Sequence, residues 1–141
     1  MSRPLVVFGD AAAELANMIR AALAGRAEPY ASGVVVDVRI PKNRRPAENP
    51  PPLVVFRQDG PGAIYQQANS RVTLRGSIWH QTEDDAFDLA QLVHAFVARH
   101  SGAVIRAVTN GLSPFVTSDP DTGEPLASFT VTANLYPQVI T

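Results

Sequence analysis

The sequence predicts an α+β domain. The expected architecture is an antiparallel sheet of four to five strands, with mixed pairing allowed, and two helices packed on one face, in the order α-β-β-β-α-β-β. Three observations carry this reading. First, Arg71–His80 alternates with period two: Val72, Leu74, Gly76 and Ile78 share one face, and Arg71, Thr73, Arg75, Ser77 and Trp79 the other. Second, this strand runs directly into a helical stripe of Ala86, Leu89, Ala90, Val93, Phe96 and Val97 at three- and four-residue steps. Third, Ser128–Tyr136 alternates again, with Phe129, Val131, Ala133 and Leu135 facing in. Short links between strands favour antiparallel pairing, and helices with one apolar stripe must cover a sheet face.

The chain has 141 residues, enough for one domain with a sizeable core. There is no cysteine, so disulfides and thiolate metal sites are excluded. A formal net charge of -1 gives no global attraction to nucleic acid or membrane. No apolar run reaches the roughly 20 residues of a membrane span. The apolar run near Met1–Phe8 is too short for a signal peptide, so a cytoplasmic site of synthesis and use is expected.

Taken in order, Asp10 is a helix cap, and Ala12, Leu15, Ala16, Ile19 and Leu23 form the first stripe, with Gly25 as its stop. Val34–Ile40 follows as a strand. Residues 41–52 hold five prolines, which remove the donors a central strand or helix needs; with Lys42, Arg44 and Arg45 they predict an exposed basic arm or long hairpin loop. Leu53–Arg57 is a second strand, Asp59–Gly62 a turn, and Ala63–Asn69 a connection to the strand at Arg71. Thr82 caps the second helix, and Glu83, Asp84 and Asp85 sit where the helix dipole favours negative charge. Ser101-Gly102 stops it. Ala103–Leu112 reads as a ragged strand, Asp119–Pro125 as a dense turn, and the final strand closes the domain.

Several residue sets invite a chemical reading. Ser77, His80 and Asp84 contain the residue types of a hydrolytic triad, but Ser77 and His80 are three apart on a strand and point to opposite faces. A metal site from His80, Asp84, Asp88 and His94 lacks a paired-histidine motif, and the acids already serve the helix start. Asp119, Asp121, Gly123 and Glu124 resemble a fragment of a calcium loop without its distal ligands, and a tight turn accounts for all four. Gly60 and Gly62 open no helix, which removes a dinucleotide reading. The cluster Lys42, Arg44 and Arg45 has no aromatic neighbours, so a protein-contact arm is preferred to a phosphate-binding patch. Neither a catalytic centre nor a cofactor or metal site is expected. The rival from another class is a small enzyme or ligand-binding domain, which needs a pocket with convergent polar groups.

The order of pieces resembles the tail terminator, or tail completion, proteins of long-tailed bacteriophages. The resemblance spans nearly the full chain. It rests on an N-terminal helix, a strand closing on VRIPKNRRP (Val38–Pro46), PLVVFRQDGPG (Pro52–Gly62), RVTLRGSIWHQTEDDAFDLAQLV (Arg71–Val93) and SDPDTGEPLASFTVTANL (Ser118–Leu135). Other head–tail joining and minor tail proteins share this overall pattern. The resemblance implies a non-enzymatic virion subunit, assembled in the host bacterial cytoplasm, that forms a homo-hexameric ring. Such a ring caps the tail tube protein, stops its polymerisation and meets a head–tail connector or head completion protein. Genomic DNA passes through its lumen without sequence-specific binding, and no membrane is involved. Position alone nominates the contact residues: Lys42, Arg44 and Arg45 on the arm, Arg71, Thr73 and Arg75 on the polar strand face, and Asp119, Asp121 and Glu124 in the turn as acidic partners for an arginine of the next subunit.

Overall fold

The strand expected at Arg71–His80 is the middle of the sheet, and its neighbours determine the architecture. The computed structural model describes residues 5–65 and 68–140. Elements follow the order β1 (Leu5–Phe8), α1 (Ala11–Leu23), β2 (Val35–Asp37), β3 (Leu53–Gln58), β4 (Ala63–Tyr65), β5 (Asn69–Trp79), α2 (Glu83–Ala98), β6 (Ile105–Ser118), β7 (Pro125–Leu135) and β8 (Pro137–Ile140). The main sheet has six strands in the order β2-β3-β5-β7-β6, with β4 pairing the start of β5. The domain is α+β with a mixed sheet. Its strand count exceeds the four to five expected, because β4 forms inside the supposed connection 63–69 and β1 with β8 makes a separate two-stranded ribbon. Gln66 and Gln67 of that connection lie outside the described residues, as do residues 1–4 and 141.

The pairing of β2 with β3 is parallel, Val35 opposite Leu53. The cause is the proline-rich segment: parallel neighbours need a crossover of about a dozen residues, and 38–52 supplies it. This segment is therefore a return path around the end of the sheet rather than a hairpin loop. β6 runs to Ser118, past the expected end at Leu112, with register shifts between Ile105 and Ala107, Val108 and Gly111, and Leu112 and Phe115. Those bulges explain why its alternation is ragged in the sequence.

Both helices lie on one face. Asp10 caps α1 by accepting from the Ala13 amide at 3.0 Å, and Thr82 caps α2 by accepting from Asp85 at 3.1 Å. Leu15 and Ile19 of α1 and Leu89, Val93 and Val97 of α2 are fully buried. They cover Val54 and Phe56 of β3, Val72, Leu74 and Ile78 of β5, and Phe129, Val131 and Ala133 of β7. Phe129 is the pivot. Gly76 is its cross-strand partner, and its ring lies edge-on to Phe56 at 6.4 Å and to His94 at 5.1 Å. A Cβ on Gly76 would stand 2.5 Å from the Phe129 ring, so the glycine vacates the space that the ring fills. Substituting Gly76→Ala should destabilise the domain by about 1–3 kcal/mol in a denaturant titration, and the double variant with Phe129→Leu should recover part of that loss.

A carboxylate holds the helix layer to the start of β6. Glu14 accepts from the amides of Val104 and Ile105, both at 2.9 Å, and its Oε2 lies 3.1 Å from His100 Nε2. Burial pushes the Glu14 carboxyl up, but the two amides and His100 outweigh it and hold the group below the usual carboxylate range. A depressed folded-state pKa contributes stability that is present above the unfolded value and lost as pH falls through the folded one. Stability should therefore fall as pH drops below 4.5, the ordinary value of a glutamate carboxyl. Glu14→Gln should flatten that part of the pH profile while lowering stability at pH 7, as read by thermal unfolding across pH.

Candidate functional site

The uncovered face of the sheet and the end around which residues 38–52 wrap gather nearly every sequence-nominated residue. At that end, β3 starts, β5 finishes and β7 starts, since Leu53 pairs with Trp79 and Trp79 with Leu126. This corner is not purely polar, as the alternation had implied. Leu53, Val55 and Trp79 are buried there and pack with Leu126 into a second apolar cluster on the open face. Trp79 belongs to that cluster through its ring and donates its indole N–H to Asp119 Oδ2 at 2.8 Å.

Asp119 organises the β6–β7 turn. Its other carboxylate oxygen accepts from the amides of Asp121 at 2.8 Å and Thr122 at 3.3 Å. Burial pushes the Asp119 carboxyl up, yet the Trp79 indole and these amides prevail and hold it below the usual range. Gly123 has φ +76°, the left-handed geometry that closes the turn. Asp121 is exposed, and Glu124 is engaged elsewhere.

That engagement ties down a segment whose residues 42, 43 and 45–49 are exposed. Arg44 donates from Nη2 to Glu124 Oε2 at 2.7 Å and from Nη1 to the Pro51 carbonyl at 2.8 Å. The two side chains keep only 9% and 15% of their exposure, so the arm is fastened to its own β6–β7 turn. Glu124, expected to meet an arginine of the next subunit, takes an arginine of its own chain. Arg45 donates to the carbonyls of Lys42 and Arg44 and stays exposed, as does Lys42.

Farther along the open face, Arg75 pairs with Asp59 at 2.9 Å, and Arg71 donates to Asn134 Oδ1 at 3.4 Å. Thr73 is half-buried between them, its carbonyl accepting from Asp59. A hollow of about 590 Å³ lies over this face, walled by Arg39, Arg57 and Arg75, floored by Val55, Trp79 and Leu126. Sequence reasoning missed Arg39, Arg57 and Arg106, together with Tyr65 and Tyr136. The outward phase of β3 and β7 marks Arg57 and Tyr136, but Tyr65 lay in an expected loop and Arg106 beside a bulge.

The catalytic sets do not assemble. His80 Nδ1 accepts from the Gln81 amide at 2.8 Å and Nε2 lies 3.0 Å from the Tyr30 carbonyl, so both ring nitrogens are occupied while Ser77 faces the opposite side of the sheet. His94 packs on Phe129, away from the exposed Asp84 and Asp88. Among the described residues no group of three or more histidines and acids converges as metal ligands would.

Besides Val35 and Ile40, large apolar side chains are exposed in two groups among the described residues. Leu5, Val7, Val139 and Ile140 of the β1–β8 ribbon, with Ile64 of β4, crowd one end of the molecule. Leu112 and Phe115 stand exposed on the edge strand β6. No family model matches the chain, and no curated protein matches it at a significant level.

The Arg44–Glu124 pair is the most shielded ion pair of this corner. Arg44→Ala or Glu124→Ala alone should each cost about 1–3 kcal/mol, because each strands its partly buried partner. The double variant should cost less than the sum of the two, which a double-mutant cycle by chemical denaturation would read.

Proposed function

We propose that this chain is a structural assembly subunit of the phage tail terminator kind, acting by ring formation on the end of a tail tube and by offering a surface to the head connector. The observation that carries this reading is the pair of unlike apolar surfaces. A monomer gains nothing by exposing the ribbon end, with Leu5 at 70% and Val139 at 60%, and also Leu112 at 64% on a sheet edge. Two different patches on one subunit suit a heterologous contact, in which one surface meets another on the next copy; such contacts close into rings when the rotation is right. An isolated two-stranded ribbon is also marginal in water, and a neighbouring subunit would support it. The arm and turn, tied together by Arg44 and Glu124, then form a preassembled corner on which Lys42, Arg45 and Asp121 remain available for a tube or connector protein. The order of sequence pieces supports the same reading.

A second reading, a small-ligand domain, has the open-face hollow of about 590 Å³ with Trp79 at its floor in its favour. A thermal-shift screen with metals and common metabolites separates the two: a reproducible shift of several degrees supports the ligand domain.

For the assembly reading, light scattering behind a sizing column should give a mass near six copies of the 15.1 kDa chain, about 90 kDa, at high protein concentration. Val139→Asp and Leu112→Asp should each shift the population toward monomer while thermal unfolding stays cooperative. A strictly monomeric wild-type protein, both alone and with tail tubes, would reject the ring.

A further inference from the structure

The near-zero net charge hides a segregation between the two faces of the domain. The helix layer carries Asp10, Glu14, Glu28, Glu83, Asp84, Asp85 and Asp88 against Arg20, Arg26 and Arg99. The open sheet face carries Arg39, Arg57, Arg71, Arg75 and Arg106 against Asp37, Asp59, Asp119 and Asp121. Three of those four acids are already committed, Asp37 to the Val38 amide, Asp59 to Arg75 and Asp119 to Trp79 and the turn amides. The acids of this face also lie away from Tyr65 and Tyr136, so that end of the sheet is basic.

At that end the arginines are interleaved with aromatic rings. The Arg71 guanidinium carbon lies 5.7 Å from the centre of the Tyr65 ring, and that of Arg106 4.9 Å from the Tyr136 ring. Both rings are exposed, at 47% and 40%. Tyr65 pairs with Asn69 in the β4–β5 ladder, and Tyr136 directly follows Leu135, the partner of Ser70 at the same end of β5. The tyrosines therefore stand at the same end of the sheet, one on β4 and one just past β7, the two strands that flank β5 there. Between and beside them lie the neutral donors and acceptors Asn134, Thr132 and Thr73. Each ring carries a guanidinium over it, and a guanidinium that turns from its ring to a phosphate uncovers that ring for an unstacked planar group.

The geometry points to a single-stranded nucleic-acid platform on the open sheet face, with bases stacking on Tyr65 and Tyr136 and phosphates held by Arg57, Arg71 and Arg106. Recognition is independent of base sequence, because ring faces and guanidinium groups accept any base and any phosphate. A duplex keeps its bases stacked inside and presents only phosphate to this face. This inference does not depend on ring formation and applies equally to a monomer.

The test is fluorescence anisotropy of a dye-labelled oligothymidine of about 20 nucleotides with the full chain, at about 50 mM salt and then at about 200 mM. Saturable binding in the micromolar range is expected, weakened roughly 15- to 20-fold by the salt increase if three phosphates are neutralised. Tyr65→Ala with Tyr136→Ala should weaken binding about tenfold or more, whereas Tyr65→Phe with Tyr136→Phe should restore it, since stacking needs the ring and not the hydroxyl. Arg71→Ala should reduce the salt dependence. Arg26→Ala with Arg99→Ala, which removes the two arginines lying over Phe96 on the helix side, should leave affinity unchanged. Absence of binding at the lower salt would overturn the proposal. So would a duplex binding as tightly as the single strand, affinity undiminished in the tyrosine-to-alanine pair, or an equal loss in the helix-side pair. Cooperative thermal unfolding of each variant separates a lost contact from a lost fold.

Discussion

Ten consecutive residue pairs join β5 to β7, from Ser70 opposite Leu135 to Trp79 opposite Leu126, without a bulge. An unbroken register of this length fixes the side of the sheet on which every side chain of both strands stands, because a slip by one residue would turn Val72, Leu74, Ile78, Phe129 and Val131 out of the core. Gly76 lies in the middle of this ladder and leaves room for the Phe129 ring. The helices then have one place to dock, and the polar and aromatic residues of the same strands have no place but the other face.

The consequences of that register reach both ends of the sheet. At one end, Trp79 is held outward-facing but buried, so it needs company: Leu53, Val55 and Leu126 supply apolar contact and Asp119 accepts its N–H. The β6–β7 turn is thereby tied to β5, and the crossover from β2 to β3 is tied to the turn through Arg44 and Glu124. A proline-rich segment with few backbone donors of its own is thus held by a side chain. At the other end, the same outward phase lifts Arg71 and Asn134 beside Tyr65 and Tyr136, and the apolar ribbon of β1 and β8 closes the helix side. One ladder therefore produces a shielded, ion-paired corner and an open, basic, aromatic end.

Charge illustrates how sequence totals mislead. Twelve basic and thirteen acidic residues nearly cancel, and from that sum a nucleic-acid partner looks unfavourable. The acids gather on the helices because helix N-termini favour them, and the arginines gather on the sheet because outward strand positions accept long polar side chains. Cancellation over the whole chain then coexists with opposite signs on opposite faces.

Much was legible from residue order alone. The period-two runs of β5 and β7, the caps Asp10 and Thr82, the stripes of α1 and α2 and the turn at 119–124 are local patterns, and local backbone chemistry suffices to produce them. Of the nominated site, the sequence by itself indicated that Arg71, Thr73 and Arg75 share an outward face; it assigned the turn acids to an arginine of another subunit, whereas Glu124 takes Arg44 of its own chain. Tertiary structure alone decided the rest. The β1–β8 ribbon joins residues at the two ends of the chain, β2 lies parallel to β3 because of where the crossover returns, and Arg44 meets Glu124 eighty residues away. Those pairings are settled by burial and charge between segments that share no local pattern, and short strands such as β4 and β8 carry too little periodicity to declare their partners.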